Sequence, residues 1–310
     1  MESSQPIISL CIPTNGVVKW VIPTIKSIYD QNISLDLFEV VVTDNGTDDE
    51  LAEAIKQLDY SNLKYYRTNE RGFVNQIASF RLSNGLFCKM VNHRSCLRFG
   101  MLAEMIELVK DNIEEKPILY FSDGHAKGGD VISCSNADEF VQKMSYWISW
   151  SAGVGLWNED KPMLEKVVPN QMFPHMCLMF DIRSESNYII WNKPFQQMQD
   201  ESGKGGYDIF YTFAVVLNNI VNDLRDKGKI SKKTLEYVRG QLFNFICGWY
   251  LSEVIDSNNS IHTFEIKNIK QSMKVYYGLS GYYWMVIKEN LLGRLKLIIR
   301  FIVNMVNLEN

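Results

Sequence analysis

Hydrophobic positions over the first 120 residues switch repeatedly between two spacings. Residues 7–12 (IISLCI) form a short apolar run closed by Pro13, the pattern of a strand buried on both faces. Residues 17–29 then carry apolar side chains at helical spacing. Residues 38–43 are a second, β-branched run that ends in the turn signal Asp44-Asn45-Gly46. Thr47, followed by Asp48, Asp49 and Glu50, predicts a hydroxyl-capped helix start with acids in its first turn. Residues 63–66 read as a third strand, 73–82 as a helix, 86–91 as a fourth strand and 101–109 as a helix. This alternation predicts a Rossmann-like α/β domain, a parallel sheet joined by right-handed crossovers.

Beyond residue 116 the pattern loosens. Residues 118–121 and 131–132 read as strands around a glycine-rich turn at 124–129, residues 149–157 as a strand, and 167–188 as partly helical. Residues 206–257 are strongly helical, with a break at Lys227-Gly228-Lys229. In the tail, Leu291, Leu292, Leu295, Ile298, Ile299, Ile302, Met305 and Val306 recur at helical spacing, with Lys288, Arg294, Lys296 and Arg300 among them. A basic amphipathic helix reads as a membrane-interface element. The preceding Tyr276, Tyr277, Tyr282, Tyr283 and Trp284 suit a headgroup boundary. A helix packed on the core with a cationic outer face is the competing reading.

Composition narrows the function classes. The chain has 310 residues, 46% hydrophobic and 22% charged, with a formal net charge of -4. The apolar share suffices for a large core. No basic stripe marks the first 280 residues, which argues against a nucleic-acid partner. The six cysteines, Cys11, Cys88, Cys96, Cys134, Cys177 and Cys247, form no CxxC pair and read as buried free thiols of a reducing compartment. The N-terminus lacks a basic n-region and a cleavage site, so no signal peptide is expected. No uncharged apolar stretch reaches the length of a transmembrane helix.

Candidate chemistry sits where strands end. Ligands of open parallel sheets bind outside the carboxyl ends of the strands. Three of those ends are polar: Pro13-Thr14-Asn15, Asp44-Asn45-Gly46 and Asn92-His93-Arg94. An acid such as Asp44 can accept from a base N–H or a ribose hydroxyl; it can equally shape a turn that caps the next helix. No GxGxxG follows the first strand and no GxxxxGK[ST] occurs, which disfavours a dinucleotide cofactor and a P-loop.

These segments carry a family resemblance. The stretch 8–15 (ISLCIPTN) resembles the opening strand of family-two glycosyltransferases with the GT-A fold. The stretch 40–49 (VVVTDNGTDD) is similar to their second strand and its acidic turn, and 69–76 (NERGFVNQ) with 83–87 (SNGLF) to the segments leading into the fourth. Residues 147–156 and 173–175 resemble the bacterial polysaccharide and O-antigen branch that includes abequosyltransferases. The resemblance implies that Pro13, Thr14 and Asn15 line a nucleotide pocket and that Asp44, with Asn45, holds base or ribose. It implies that Gly72 allows close backbone approach to the donor and that Asn75 hydrogen-bonds to it. Otherwise Gly72 reads as a loop-to-helix turn and Asn75 as a solvated helix position.

One departure stands out. The family places D-x-D after the fourth strand, where carboxylates bind a divalent cation on the donor diphosphate. Here Asn92-His93-Arg94 stands in that place. A guanidinium can neutralise a diphosphate directly through paired hydrogen bonds. The expectation is therefore that no cofactor is required, with Mn or Mg the alternative, and that Arg94, with Asn92 and His93, does the cation's work. For the general base, His175 in Phe173-Pro174-His175 has a suitable intrinsic pKa, and Asp181 could orient or replace it. A core or capping role for His175 competes, and Glu159 and Asp160 are rival acids.

The expected architecture is a GT-A domain over residues 1–200, a helical region over 201–287 and a basic tail helix over 288–310. The implied reaction is inverting transfer of a sugar from a nucleotide-diphosphate donor to a glycan or polyprenyl-linked acceptor in surface polysaccharide synthesis. The implied place is cytoplasmic, peripheral on the inner face of the plasma membrane. A catalytically silent glycosyltransferase-like subunit is the alternative. A nucleotidyltransferase would want a glycine-rich basic loop after the first strand, which Asn15 to Lys19 supplies poorly.

Overall fold

The computed structural model describes residues 5–308, with side chains described as far as Arg294. The chain divides into two compact units, Met1–Asp200 and Glu201–Asn310.

In the first unit five strands form the central sheet: β1 (Ile8–Thr14), β2 (Phe38–Asp44), β3 (Leu63–Arg67), β4 (Phe87–Met90) and β8 (Gly155–Trp157), in the order β3-β2-β1-β4-β8. β1 pairs in parallel with β2 and β4, and β2 with β3; β8 runs antiparallel to β4. The central strands are buried on both faces, as their unbroken apolar runs require. Ile8, Leu10, Ile12, Val40 and Val42 pack with α1 (Val18–Tyr29), α2 (Glu50–Lys56) and α4 (Met101–Asp111) in one core. Each such side chain contributes about 1.5–3 kcal/mol by leaving water. The opposite face is covered by α3 (Asn75–Leu82), where Cys11 Sγ contacts Ser79 O at 3.6 Å.

A polar bond fixes the register at the amino ends of the strands. Glu39, buried on β2, accepts from Ser9 Oγ at 2.6 Å, from Lys64 at 2.6 Å and from the Asn84 N–H. Burial would raise its pKa, but these bonds outweigh burial and lower it.

A second layer continues the unit. β6 (Ile118–Phe121), β7 (Val131–Cys134) and β9 (Tyr188–Trp191) form a sheet ordered β6-β9-β7, and Tyr120 bridges Val154 beside β8. β5 (Ser95–Leu97) pairs antiparallel with β10 (Gln196–Met198). Two helices complete the unit, α5 (Ala137–Met144) and α6 (Met176–Phe180). Lys89 is wholly buried on β4; its ammonium donates to Met90 O at 2.6 Å and to Ala152 O and lies 4.6 Å from the Phe121 ring. Burial drops its pKa to about 7, against the pull of Asp123.

The alternating first half follows the sequence reading; several later elements depart from it. Residues 149–157 are strand only at Gly155–Trp157, because two 3-10 turns, Ser145–Ser149 and Ser151–Gly153, precede it. Within 167–188 the helix is confined to Met176–Phe180. Thr47 does not cap α2: Asp49 stands at the cap, and Asp48 Oδ1 accepts the Glu50 N–H at 3.1 Å.

The second unit is mainly helical. α7 (Ile209–Tyr211) runs through a π turn into α8 (Leu217–Asp226), which ends at Gly228 with φ 72°. α9 (Lys232–Tyr250) starts from Ser231, whose hydroxyl accepts the Thr234 N–H at 3.2 Å. A small parallel pair, β11 (Gly205–Asp208) and β12 (Thr263–Glu265), precedes α10 (Ile269–Leu308). α10 is interrupted at Gly278, with φ 67° and ψ 177°. The tail expected as a helix of its own from residue 288 thus belongs to the helical stretch that follows Gly278. The side chains of Leu295, Lys296, Ile298, Ile299, Arg300, Ile302, Met305 and Val306 lie outside the described residues. Among the described residues no helix is long and apolar enough to cross a membrane.

Candidate functional site

The three polar strand ends meet at one edge of the central sheet. Asn45 N–H donates to Thr14 O at 3.0 Å, joining the ends of β2 and β1. His93 Nδ1–H donates to Pro13 O at 3.2 Å, joining the end of β4 to β1. The β1 and β2 turns interlock so closely that a Cβ on Gly46 would stand 2.6 Å from Asn15 O. Asn15 is exposed at the rim and Thr14 is buried behind it, its Oγ1 accepting the Gly16 N–H at 3.2 Å.

Asp44 is fully buried at this corner. Oδ1 accepts the Gly46 N–H at 2.7 Å; Oδ2 accepts from Tyr65 Oη at 2.7 Å and Arg67 Nη1 at 3.1 Å. Arg67 also donates to Gly46 O at 2.9 Å, to Asp49 Oδ1 at 2.7 Å and to Asp48 O. Asp44 therefore organises the corner through its own cation and turn. Arg67 was not singled out from the sequence; its signal was its place at the end of the third strand, directly opposite Asp44.

Asn75 is also internal. It is 2% exposed, its amide donates to Thr14 O at 3.2 Å and Thr43 O at 2.8 Å, and its carbonyl oxygen accepts from Thr68 Oγ1 at 2.8 Å. It is a staple between loops, neither a solvated helix position nor a group facing a ligand. Gly72 has φ +53° and open space where a Cβ would stand, so the turn requires glycine and leaves its backbone accessible. Asn45 Nδ2 donates to Glu70 O at 2.9 Å and Gly72 O at 3.1 Å, holding that turn against β2.

The loop after β4 packs onto α1. Asn92 Oδ1 accepts the Arg94 N–H at 3.0 Å, and His93 O accepts from Thr24 Oγ1 at 2.9 Å. The His93 ring lies parallel to Trp20 at 5.9 Å. Burial lowers its pKa to about 4; Pro13 O opposes this and the Arg94 charge adds to it. The Arg94 guanidinium sits 3.3 Å from the Trp20 ring centroid, with Nη1 3.5 Å from Asp200 O.

This loop does not fit a hard divalent cation. Such ions want several oxygen ligands, carboxylates first. Here the Asn92 oxygen already accepts an N–H, His93 is turned to Pro13 O, and Arg94 brings positive charge. Among the described residues no group of three or more His, Cys, Asp and Glu side chains could hold a metal.

The candidate bases are not brought to this edge. His175 is 2% exposed, and neither ring nitrogen has a hydrogen bond. Burial lowers its pKa to about 4, the nearby Ser149 and Ile148 backbone opposing in part. It is a neutral core histidine with no route for an acceptor. Asp181 is exposed at the far end of α6, two residues before Arg183. Arg183 binds Asp160 through Nε at 2.9 Å and Nη2 at 2.7 Å, and Lys116 O at 2.6 Å. Lys116 precedes β6, so Asp160, its neighbour Glu159 and Asp181 belong to the amino ends of the strands, opposite the polar corner. Trp157 is a core residue whose Nε1 donates to Pro117 O at 2.7 Å.

An aromatic group does stand at the carboxyl ends. The His125 ring stacks on Trp147 at 3.7 Å and meets Trp150 edge-on at 5.7 Å. Sequence reading treated residues 124–129 only as a turn; the signal missed was a histidine four residues past a buried strand.

Comparison with known proteins now bears on this corner. Residues 9–81 match the family model described as Glycosyl transferase family 2. That segment is similar to the family 2 glycosyl transferases. It builds β1 to α3, including the corner around Asp44, and ends before Asn92. No curated protein matches the sequence. Among solved structures, S. aureus TarS 1-349 in complex with UDP-GlcNAc is similar with a TM-score of 0.55 and 13% identity, over 78% of this chain and 72% of that one. The mannosyltransferase PcManGT from Pyrobaculum calidifontis, in complex with GDP-Man and Mn2+, gives a TM-score of 0.52 and 12% identity over 93% of this chain and 86% of that one. This chain covers 43% of the longer TarS chain. At such identities the likeness shows the fold, a GT-A type α/β domain with a helical C-terminal part.

Proposed function

We propose that this chain is a glycosyltransferase that moves a sugar from a nucleotide-diphosphate donor to the hydroxyl of a glycan or polyprenyl-linked glycan, with inversion, in surface polysaccharide synthesis. The observation that carries this reading is the convergence of Thr14, Asn45, His93 and Arg94 on one sheet edge through the Asn45–Thr14 and His93–Pro13 hydrogen bonds. The family 2 segment and the nucleotide-sugar complexes of the structural neighbours support it.

In this reading the rim formed by Asn15, Asn45 and the open backbone at Gly72 receives the nucleoside. Arg94, laid flat on Trp20, faces the diphosphate and neutralises its growing charge as the sugar leaves, without a divalent cation. The exposed face of α10 meets the cytoplasmic membrane surface. After Gly278, Leu279, Tyr283, Ile287 and Leu291 recur every four residues, and all four are exposed.

A thermal-shift screen with UDP, GDP and CDP and their sugars, with and without EDTA, tests the reading. One donor should raise Tm in proportion to RT ln(1 + [L]/Kd), unchanged by EDTA. Failure of every nucleotide at millimolar concentration would sink it. That failure would favour a silent binding subunit, a reading supported by the occupation of Asp44 by Arg67 and the acid-free loop at Asn92.

A further inference from the structure

None of the bases singled out from the sequence reaches the site described above: His175 is sealed in the core, and Asp181, Glu159 and Asp160 stand at the other end of the strands. The second layer supplies one. β6 runs parallel to β9, and its residue Tyr120 bridges Val154 in antiparallel sense, as β8 does to β4. The carboxyl end of β6 therefore lies on the same edge as that of β4. The loop that follows, residues 122–126, carries His125 at that edge.

This loop is held from two sides. Asn192 Oδ1 accepts from Ser122 Oγ at 2.6 Å and the Ala126 N–H at 3.0 Å, while its amide donates to Ala126 O at 3.0 Å and Gly129 O at 3.2 Å. Asp123 takes a left-handed φ of 54°, and its Oδ1 accepts the Phe195 N–H at 2.7 Å. That bond reaches the start of β10, which pairs with β5, the strand directly after Arg94. Trp150 closes the gap, 5.7 Å from His125 and 6.1 Å from Phe195. The loop that bears His125 is thus tied by Asp123 and β10 to the loop that bears Arg94.

The imidazole is fixed in orientation yet open. Trp147 covers one face at 3.7 Å with an interplanar angle of 9°, and the residue is exposed. Partial burial lowers its pKa below the ordinary value of 6.5, with Asp123 opposing. Tyr146 lies across Trp147, its own pKa raised by burial, so it stays neutral at neutral pH.

We propose that His125 is the general base of the transfer, its imidazole taking the proton of the acceptor hydroxyl beside an aromatic wall of Trp147 and Trp150. This rests on the glycosyltransferase reading. The acceptor oxygen forms a bond to the anomeric carbon while the bond from that carbon to the diphosphate oxygen breaks. The proton passes to an imidazole nitrogen, and the nucleoside diphosphate leaves with the bonding electron pair. Trp147 keeps the ring from turning, and pyranose faces can stack on the indole edge group it forms with Trp150.

The test follows nucleoside diphosphate release with water as acceptor. The donor is whichever nucleotide sugar gives the largest thermal shift in a panel that includes UDP-GlcNAc and GDP-mannose. His125→Ala should lower kcat about 100-fold or more, since a positioned base is worth roughly 10²–10⁴, while donor Kd changes less than twofold. The wild-type rate should fall on the acid side of a pKa below 6.5, and that limb should vanish in the variant. Added imidazole should restore part of the rate. Trp147→Leu should broaden the effect by lowering kcat with donor Kd kept. A variant that binds donor normally and turns over within threefold of wild type overturns the assignment of His125 alone. A wild-type protein that binds no nucleotide sugar overturns the donor reading and this assignment with it.

Discussion

The guanidinium of Arg94 lies 3.3 Å from the centre of the Trp20 indole, on the first turn of α1 and beside the end of β1. A planar cation on an aromatic face is held in one plane, and its fork of N–H groups suits a diphosphate. Arg94→Ala should therefore weaken binding of the donor diphosphate about 10–100-fold, the range expected for charged hydrogen bonds of roughly 1.5–3 kcal/mol. Arg94→Lys should not restore it, because an ammonium offers neither the fork nor the stack. Isothermal titration with the nucleoside diphosphate checks both variants, and Arg94→Ala affinity within twofold of wild type would remove the guanidinium from the site.

Asp44 and Arg67 form a pair in which the acid has no exposure and the cation keeps a third of its surface. Removing one partner of a buried pair strands the other, at roughly 3–5 kcal/mol. With Arg67 partly solvated, Asp44→Asn should cost about 3 kcal/mol, at the low end of that range. In urea unfolding, Asp44→Asn, Arg67→Met and their double variant should be non-additive, the second change adding little after the first. Additive losses would show that the two side chains act separately.

His175 makes stability acid-sensitive. Its folded pKa of about 4 lies below the ordinary 6.5, so the unfolded chain takes up the proton first as pH falls. Stability should hold above pH 7 and decline through 6.5 toward 4. Between pH 7.5 and 5.0 this single group should cost about 2 kcal/mol at 1.36 kcal/mol per pKa unit. Urea midpoints at the two pH values should converge in His175→Leu, with the residual slope assigned to His93, whose pKa is lowered in the same way. An unchanged slope in the variant would mean that His175 has water the fold does not show.

The α10 face gives a binding prediction. Trp284 is 61% exposed and Ile287 56%, beside Tyr283 and Leu291 on the same stretch. Replacing Tyr283, Trp284 and Ile287 together by serine should weaken cosedimentation with vesicles of anionic phospholipid more than tenfold, as should deletion of residues 288–310. Charge-neutral vesicles should bind less than anionic ones, because Lys288 and Arg294 lie on the same helix. Equal recovery of wild type and triple variant in the vesicle pellet would rule out this face.

The β1–α1–β2 half was legible because its signals are local. Burial on both faces leaves an unbroken apolar run, and Asp44-Asn45-Gly46 announces its turn within three residues. The partnership of β5 with β10 was not, since three-residue strands carry no period and their pairing joins Leu97 to Gln196 across the sequence. The same distance hid the base candidates. His175 reads as a titratable group at a helix start, but its burial depends on how residues 145–149 fold over it. Arg67 lies one residue past the third strand read from the sequence, and it closes on Asp44 because parallel register sets them opposite.

The Asn192 side chain has a consequence for how an acceptor is met. Fixing one loop residue costs about 1–2 kcal/mol of backbone entropy. Here a single carboxamide has already closed the Ser122–Ala126 turn during folding, so contact with an incoming sugar need not order it. The arriving molecule would find a surface already shaped, and backbone amides at this turn should exchange with deuterated solvent slowly even when nothing is bound.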